Sequence, residues 1–230
     1  MIEIQGLKKI YKNVTVVDIE QLSINNNESF GLVGNNGAGK TTLFRMMLDL
    51  VKATSGTITI DGKNIQGNDE WKRYVGSYLD EGFLISYLTP DEYFRFVGKL
   101  HGYSADDLKS FQEKFEALFH GEISGTKKYI GDLSKGNLKK VGIAASFIGN
   151  PQVIMLDEPF ENLDPTSQIR LKELLKAERN LRQVTYLISS HDLNHVTEIC
   201  NRIVLLEKGK IIKDLRGSTT LAELEDYFKA

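Results

Sequence analysis

The chain has 230 residues, a net charge of −2 and a pI near 6.1, so its bulk electrostatics give no reason to expect nucleic-acid binding. Hydrophobic residues make up 41% and charged residues 26%, a globular balance, and no run reaches the ~20 apolar residues that a membrane crossing needs. One cysteine, Cys200, rules out an intrachain disulfide and fits a reducing compartment; spaced with Leu193, Val196 and Ile199, it reads as a small core residue.

The first ten residues alternate apolar and polar side chains, and Ile2, Ile4 and Leu7 mark a strand rather than a cleaved leader. A second short strand is expected at 14–17. Residues 29–33 (Ser29, Phe30, Gly31, Leu32, Val33) form an apolar strand that runs into a glycine-rich turn, after which Leu43, Met46, Met47 and Leu50 give helical spacing over 41–50. Residues 57–60 alternate and meet Asp61-Gly62, a hairpin turn. From about residue 90 the pattern turns helical, at 91–101, 105–119 and 135–148. The last third alternates strand 153–156, helix 166–180, strand 184–188, helix 192–200 and strand 203–206. A final helix at 221–229 presents Leu221, Leu224 and Phe228 for packing back on the domain. This predicts one α/β domain over 1–230 with a mostly parallel sheet and crossover helices. An antiparallel β subdomain at the N-terminal end and a helical insertion at about 82–150 complete it.

Gly34-Asn35-Asn36-Gly37-Ala38-Gly39-Lys40-Thr41 fits G-x-x-x-x-G-K-[ST] and stands between a predicted strand and a predicted helix, where a phosphate-binding loop belongs. Asn35, Asn36, Gly37, Ala38, Gly39, Lys40, Thr41 and Thr42 are the expected phosphate cradle. Glycines permit the tight backbone, amides and the helix N-terminus attract anions, Lys40 neutralises the terminal phosphates and Thr41 holds Mg²⁺. A ligand-free glycine turn would leave Lys40-Thr41 unexplained. The apolar strand 153–156 ends in Asp157-Glu158, and the C-terminal ends of parallel strands are where such sheets bind ligands. By itself that describes a solvated strand end. Beside a phosphate loop, Asp157 can hold Mg²⁺ or its waters and Glu158 can take a proton from an attacking water.

Leu133-Ser134-Lys135-Gly136-Asn137 resembles the signature segment of ABC ATPases, usually Leu-Ser-Gly-Gly-Gln, and precedes the Asp-Glu strand at that family's distance. It departs at Lys135 and Asn137. The resemblance implies a P-loop NTPase core in which Ser134, Gly136 and Asn137 reach the γ-phosphate bound by another subunit. Asn162-Leu163-Asp164 is similar to the segment that crosses the dimer interface, His191 to the switch histidine at the γ-phosphate, and Tyr11 to the aromatic that stacks on adenine. His195, four residues after His191, lacks the third ligand that a metal pair needs and reads as an ordinary helix residue. After Val75-Gly76-Ser77-Tyr78-Leu79 the family usually places Gln; here stand Asp80 and Glu81, with Asp80 at the matching position as a Mg²⁺ ligand. Glu81 in that role, or two solvated loop acids, are the alternatives.

The resemblance runs from Tyr11 to His191 and implies Mg²⁺-dependent ATP hydrolysis, with Glu158 and His191 catalytic and Thr41, Asp157 and Asp80 on the metal. It further implies a homodimer or heterodimer of ATPase subunits closed by ATP. Such a subunit would be cytoplasmic, held on the inner membrane face by a separate transmembrane permease, and the short chain with its altered signature resembles export systems. The aromatics Tyr78, Phe83, Tyr87, Tyr93, Phe94 and Phe96 can receive a partner's helix or serve as core. A soluble ABC ATPase serving iron–sulfur assembly is the alternative; a non-hydrolysing nucleotide binder is opposed by Lys40, Asp157, Glu158 and His191 together.

Overall fold

In the computed structural model, which describes residues 1–217, the first strand forms half of a hairpin. β1 (Ile2–Tyr11) and β2 (Val14–Ile24) pair antiparallel across Lys12 and Asn13, both at positive φ. Both strands outrun the apolar pattern that announced them, because inter-strand hydrogen bonds carry the ladder past Leu7 and Val17 into polar residues. β3 (Ser29–Val33) is buried along its whole length and leads through the glycine turn into α1 (Lys40–Met47). β4 (Ser55–Ile60) returns to β1, and the two-residue β5 (Lys63–Asn64) completes an antiparallel sheet ordered β2-β1-β4-β5.

β6 (Val75–Tyr78) precedes the helical insertion, built of α2 (Pro90–Leu100), α3 (Ala105–Phe119) and α4 (Lys135–Ala145). Capping boxes start two of these helices: Thr89 with Glu92, and Ser104 with Asp107. Then follow β7 (Val153–Leu156), α5 (Pro165–Arg182), β8 (Thr185–Ser190), α6 (Leu193–Thr197), β9 (Arg202–Glu207) and β10 (Lys210–Arg216). The second sheet runs β10-β9-β3-β8-β7-β6, parallel except at the β9–β10 hairpin.

Three helices stop short of their expected ends. α1 closes at Met47 because Asp49 turns to φ 53°. α4 closes at Ala145, where the Ser146 hydroxyl donates back to the Ile143 carbonyl at 2.6 Å and competes with the ladder. α6 has five residues, and the Ile199 and Cys200 amides both fold back on the Val196 carbonyl, so the apolar spacing there buries a turn. The helix expected at 221–229 lies outside the described residues.

Apolar side chains gather on both faces of the parallel sheet. One cluster packs the antiparallel sheet and α1 against it, through Ile4, Leu7, Phe44, Leu32, Met155 and Leu187. The other seats the insertion: Phe94, Phe111, Phe115, Phe119 and Phe147 interlock with neighbouring ring centroids 4.8–5.9 Å apart. The aromatics of residues 78–96 therefore divide. Tyr78 and Phe94 are core, whereas Phe83, Tyr87 and Phe96 are exposed.

Arg202, only 3% exposed, fastens the end of β9. Its guanidinium donates to both Asp214 carboxylate oxygens at 2.8 and 2.7 Å and to the Ser23 carbonyl at 2.6 Å, with Glu28 3.3 Å away. Hydrogen bonds from Arg202 hold the Asp214 carboxyl below the usual aspartate range. A depressed folded-state value means stabilisation that is present above the unfolded-state pKa and lost as pH falls through the folded one. Asp214→Asn should therefore lower stability at neutral pH by about 1 kcal/mol, since the carboxylate is partly exposed and screened. Urea melts of variant and parent should converge as pH drops below the aspartate range; a gap that persists in acid would mean the carboxylate charge is irrelevant.

Candidate functional site

β3, β7 and β8 lie side by side, and their C-terminal ends deliver the glycine loop, Asp157-Glu158 and Ser189-Ser190-His191 to one edge of the sheet. The loop is pressed from behind. Gly39 sits at φ 108°, and a Cβ there would lie 2.6 Å from the Val16 carbonyl oxygen of β2, so only glycine fits. The β9–β10 turn holds the other side, with the Gly209 amide donating to the Ala38 carbonyl and the Asp18 amide to the Gly209 carbonyl, both at 2.8 Å. Asn35, Asn36 and Gly37 remain exposed, while Ala38, Gly39 and Lys40 are buried and Thr41 and Thr42 half-buried.

Asp157 is 4% exposed and held by two hydroxyls: Thr41 donates to one oxygen at 2.5 Å and Ser189 to the other. Burial pushes its pKa up, and the hydrogen bonds from Ser189 and Thr41 oppose that without cancelling it. A desolvated carboxylate beside a threonine hydroxyl is a hard-oxygen pair suited to Mg²⁺, which takes one or two carboxylates and completes its shell from substrate phosphates and water. The residues present thus fit that ion.

Glu158 occupies the left-handed region at φ 47°. Its amide donates to Ser189 Oγ at 2.9 Å, and its carbonyl accepts from Lys139 Nζ at 2.8 Å. One carboxylate oxygen meets the His191 amide at 3.2 Å and His191 Nδ1 at 2.9 Å; the other lies 3.1 Å from Lys40 Nζ. Lys40 also donates to the Gly34 carbonyl at 2.7 Å. The structure thus brings Lys40, Thr41, Asp157, Glu158 and His191 together.

A cavity of about 380 Å³ opens beside them, lined by Thr41, Arg45, Tyr78, Leu79, Asp80, Glu81, Lys135, Lys139, Asp157, Glu158, Glu161 and Asn162. Asp80 is on its wall with both oxygens engaged, accepting from Arg45 at 3.0 Å and from the Gly82 amide at 2.8 Å. Ser134 and Asn137 do not line this cavity. Ser134 caps α4 by accepting from the Asn137 amide at 3.3 Å and is exposed; Gly136 passes close to the Asn162 carbonyl, 3.0 Å from where a Cβ would stand. Tyr11 is exposed at the end of β1 with Lys9 Nζ 4.7 Å above its ring. His195 packs on Phe160, ring centroids 4.6 Å apart, and burial holds its pKa below the usual histidine value. Cys200 is buried, its thiol pushed up to about 12 and hence unreactive.

Sequence reasoning missed three contributors. Ser189, the hub between Asp157 and Glu158, stood in the Ser-Ser-His-Asp run as a neighbour of His191. Arg45 and Lys139 carried no signal, being ordinary basic residues on helices.

Residues 17–161 match the family described as ABC transporter. Among curated relatives, the ABC transporter ATP-binding protein NatA of Bacillus subtilis is 33% identical over 210 residues, covering 90% of this chain and 83% of that protein. The lantibiotic transport ATP-binding protein SrtF of Streptococcus pyogenes is 32% identical over 226 residues, covering 97% and 95%. The bacitracin transport ATP-binding protein BcrA of Bacillus licheniformis is 31% identical, covering 94% and 69%. Against an ABC transporter ATP-binding protein of Synechocystis sp., 31% identical, the chain spans 66% of the length. Among solved structures, an ATP-binding cassette in a dimeric post-hydrolysis state with ADP and Pi superposes with a TM-score of 0.84 at 22% identity, covering 96% of this chain and 100% of that one. The cbiO1 protein of Clostridium perfringens, part of the cbiONQ ABC transporter complex, gives 0.79 at 23% identity, covering 99% and 93%. At these identities the structures speak for the fold.

Ser189→Ala removes one donor to Asp157 and leaves the Glu158 amide without its acceptor, a loss of about 1–3 kcal/mol for a buried group. Urea midpoints should fall accordingly, and nucleotide affinity in the presence of Mg²⁺ should weaken more than affinity in its absence. Equal weakening in both conditions would separate Ser189 from the Asp157 arrangement.

Proposed function

This chain belongs to the ABC transporter family as an ATP-binding, ATP-hydrolysing cassette, and from that premise we propose that it pairs with a second cassette on ATP to drive a separate transmembrane permease, in the export direction. The observation that carries the pairing is the separation described above. Lys40, Thr41, Asp157, Glu158 and His191 converge, while Ser134 stands exposed at the tip of α4, off the cavity. A γ-phosphate held by the loop of one copy is completed by Ser134, Gly136 and Asn137 of the other, where a capped helix N-terminus favours an anion. One chain then has half the ligands of each site, and ATP joins the halves.

Within each half, Lys40 is the cation for the terminal phosphates and Thr41 with Asp157 would hold Mg²⁺, which neutralises phosphate charge when bound. Glu158 accepts the proton of the attacking water, and His191, already on the Glu158 carboxylate, orients that group and faces the γ-phosphate. Asn35, Asn36, Gly37, Ala38, Gly39 and Thr42 supply the cradle, and Tyr11 stacks on the base with the ring face that Lys9 does not cover. Catalysis here is positioning plus charge neutralisation.

A partner in the membrane is supported by one surface feature. A groove of about 360 Å³ between α2, α4 and the β6 edge is lined by Trp71, Val75, Leu84, Tyr93 and Val97, with Phe83 exposed at its rim. We read this groove as the seat of a permease helix, which would hold the chain on the inner membrane face. The export direction draws on the altered signature at Lys135 and Asn137; relatives named for lantibiotic and bacitracin transport support transport without a direction.

Glu158→Gln should keep ATP binding and lose about 10²-fold or more of hydrolysis, since charge neutralisation survives and proton acceptance does not. With ATP and Mg²⁺ it should elute as a dimer in size-exclusion chromatography, and from native membranes it should co-purify with a membrane-spanning protein. Parental turnover would remove Glu158 from its role. A strictly monomeric variant would end the pairing model, and recovery with soluble scaffold proteins alone would end the permease one.

Asp80 is proposed as a further oxygen for Mg²⁺ once Arg45 lets go. Asp80→Gln should raise the Mg²⁺ concentration for half-maximal ATPase activity while metal-free ATP binding stays equal or improves. A Mg²⁺ titration that moves with Glu81→Gln and not with Asp80→Gln would transfer the role to Glu81; no movement in either would leave Asp80 as the partner of Arg45 alone.

A further inference from the structure

Glu158 holds a backbone conformation that its neighbours disfavour. Its φ of 47° lies in the left-handed region, which is disfavoured for a residue that carries a side chain. Pro159 follows, and a residue before proline ordinarily takes extended backbone with negative φ. Such a conformation persists only when its surroundings over-determine it. Two anchors do so here, one on each side of the residue: Ser189 Oγ accepts the amide at 2.9 Å, and Lys139 Nζ donates to the carbonyl at 2.8 Å. The carbonyl's other partner is the Glu161 amide at a longer 3.3 Å.

Lys139 is an unusual anchor because its side chain is 4% exposed. Desolvating an ammonium is costly, and the carboxylates of the cavity that Lys139 lines, Glu161, Glu81 and Glu158 among them, offset part of that cost. The ammonium reaches a main-chain oxygen of the residue that activates water, and it does not hydrogen-bond the carboxylate. It comes from α4, the helix capped by Ser134. Gly136, one turn earlier on the same helix, closes on the Asn162 carbonyl, so this face of α4 grips the whole turn from Glu158 to Asn162.

We propose that Lys139 is a positioning residue for Glu158, fixing the carbonyl so that the left-handed backbone aims the carboxylate at Lys40 and His191. The inference rests on the ATPase reading of Glu158 and adds to it the group that sets its geometry. Without the ammonium, the carbonyl keeps only the longer bond from Glu161, the residue relaxes toward extended backbone, and the carboxylate leaves its two partners. The link also runs from the helix that presents Ser134 to the second subunit straight to the base of the same chain.

The test uses Lys139→Met, which keeps the stem and removes the ammonium, with Lys139→Arg and Lys139→Gln as donors of other shapes. In Lys139→Met, kcat should fall about 10–100-fold, as expected for a misplaced catalytic group, while KM and the affinity for a fluorescent ATP analogue stay within about threefold. Arg or Gln should restore part of kcat, and these variants carry the test if the Met variant does not fold. Added to Glu158→Gln, Lys139→Met should cost nothing more, because both act through one group. A parental kcat in Lys139→Met, a loss confined to nucleotide affinity, or a full additive loss in the double variant would each overturn the proposal. Absence of turnover in the parent chain would instead sink the ATPase reading itself, independently of Lys139.

Discussion

Burying a carboxylate at the C-terminal edge of a parallel sheet sets the terms for everything around it. Asp157 is all but sealed from water, and desolvation of an ion costs several kcal/mol unless hydrogen bonds or charges compensate. The compensation comes from two directions. Thr41 reaches it from the first turn of α1 and Ser189 from the end of β8. These contacts require β3, β7 and β8 to be adjacent and in register, which is why the sheet order interleaves early and late strands. Burial still pushes the Asp157 pKa up. What suits the site to a cation is its chemistry, a carboxylate and a threonine hydroxyl that offer hard oxygens side by side.

The same edge shows why the phosphate loop needs so much of the chain behind it. Its glycines give it geometry but no rigidity of their own, so β2 and the β9–β10 turn brace it through Val16, Asp18 and Gly209. At the other end of the same hairpin Arg202 ties β9 to β10 and to the end of β2. Residues as far apart as Val16 and Gly209 therefore stabilise one loop of eight. The antiparallel sheet is a backing plate for the phosphate site as well as a place for Tyr11.

How much of this was legible in the sequence follows from what kind of interaction each part uses. Backbone-driven and periodic features read through: the apolar strands at 29–33 and 153–156, and the phosphate loop between strand and helix. Helix ends did not, because Asp49 and Ser146 end α1 and α4 by local geometry that apolar spacing cannot register. Of the site, the residues with fixed motif positions were visible. Ser189, Arg45 and Lys139 were not, since their roles depend on partners 32, 35 and 19 residues away in the chain. Nothing local distinguishes Lys139 from Lys140 beside it, yet one meets the Glu158 carbonyl and the other pairs with Glu122.

Asp80 gives the arrangement its reach. It lines the cavity beside Asp157 and also the groove under α2, so a single wall, Tyr78 to Asp80, separates the nucleotide site from that groove. Tyr78 and Leu79 are buried in opposite clusters, which pins that wall between the two cores. Asp80 itself is held by Arg45 of α1, the helix that begins at Lys40. Any shift of α1 as phosphates arrive must therefore either break the Arg45–Asp80 pair or drag the wall with it. A glutamine there could hydrogen-bond Arg45 but would not be bound to it by charge; the aspartate makes the connection between chemistry and groove an ionic one.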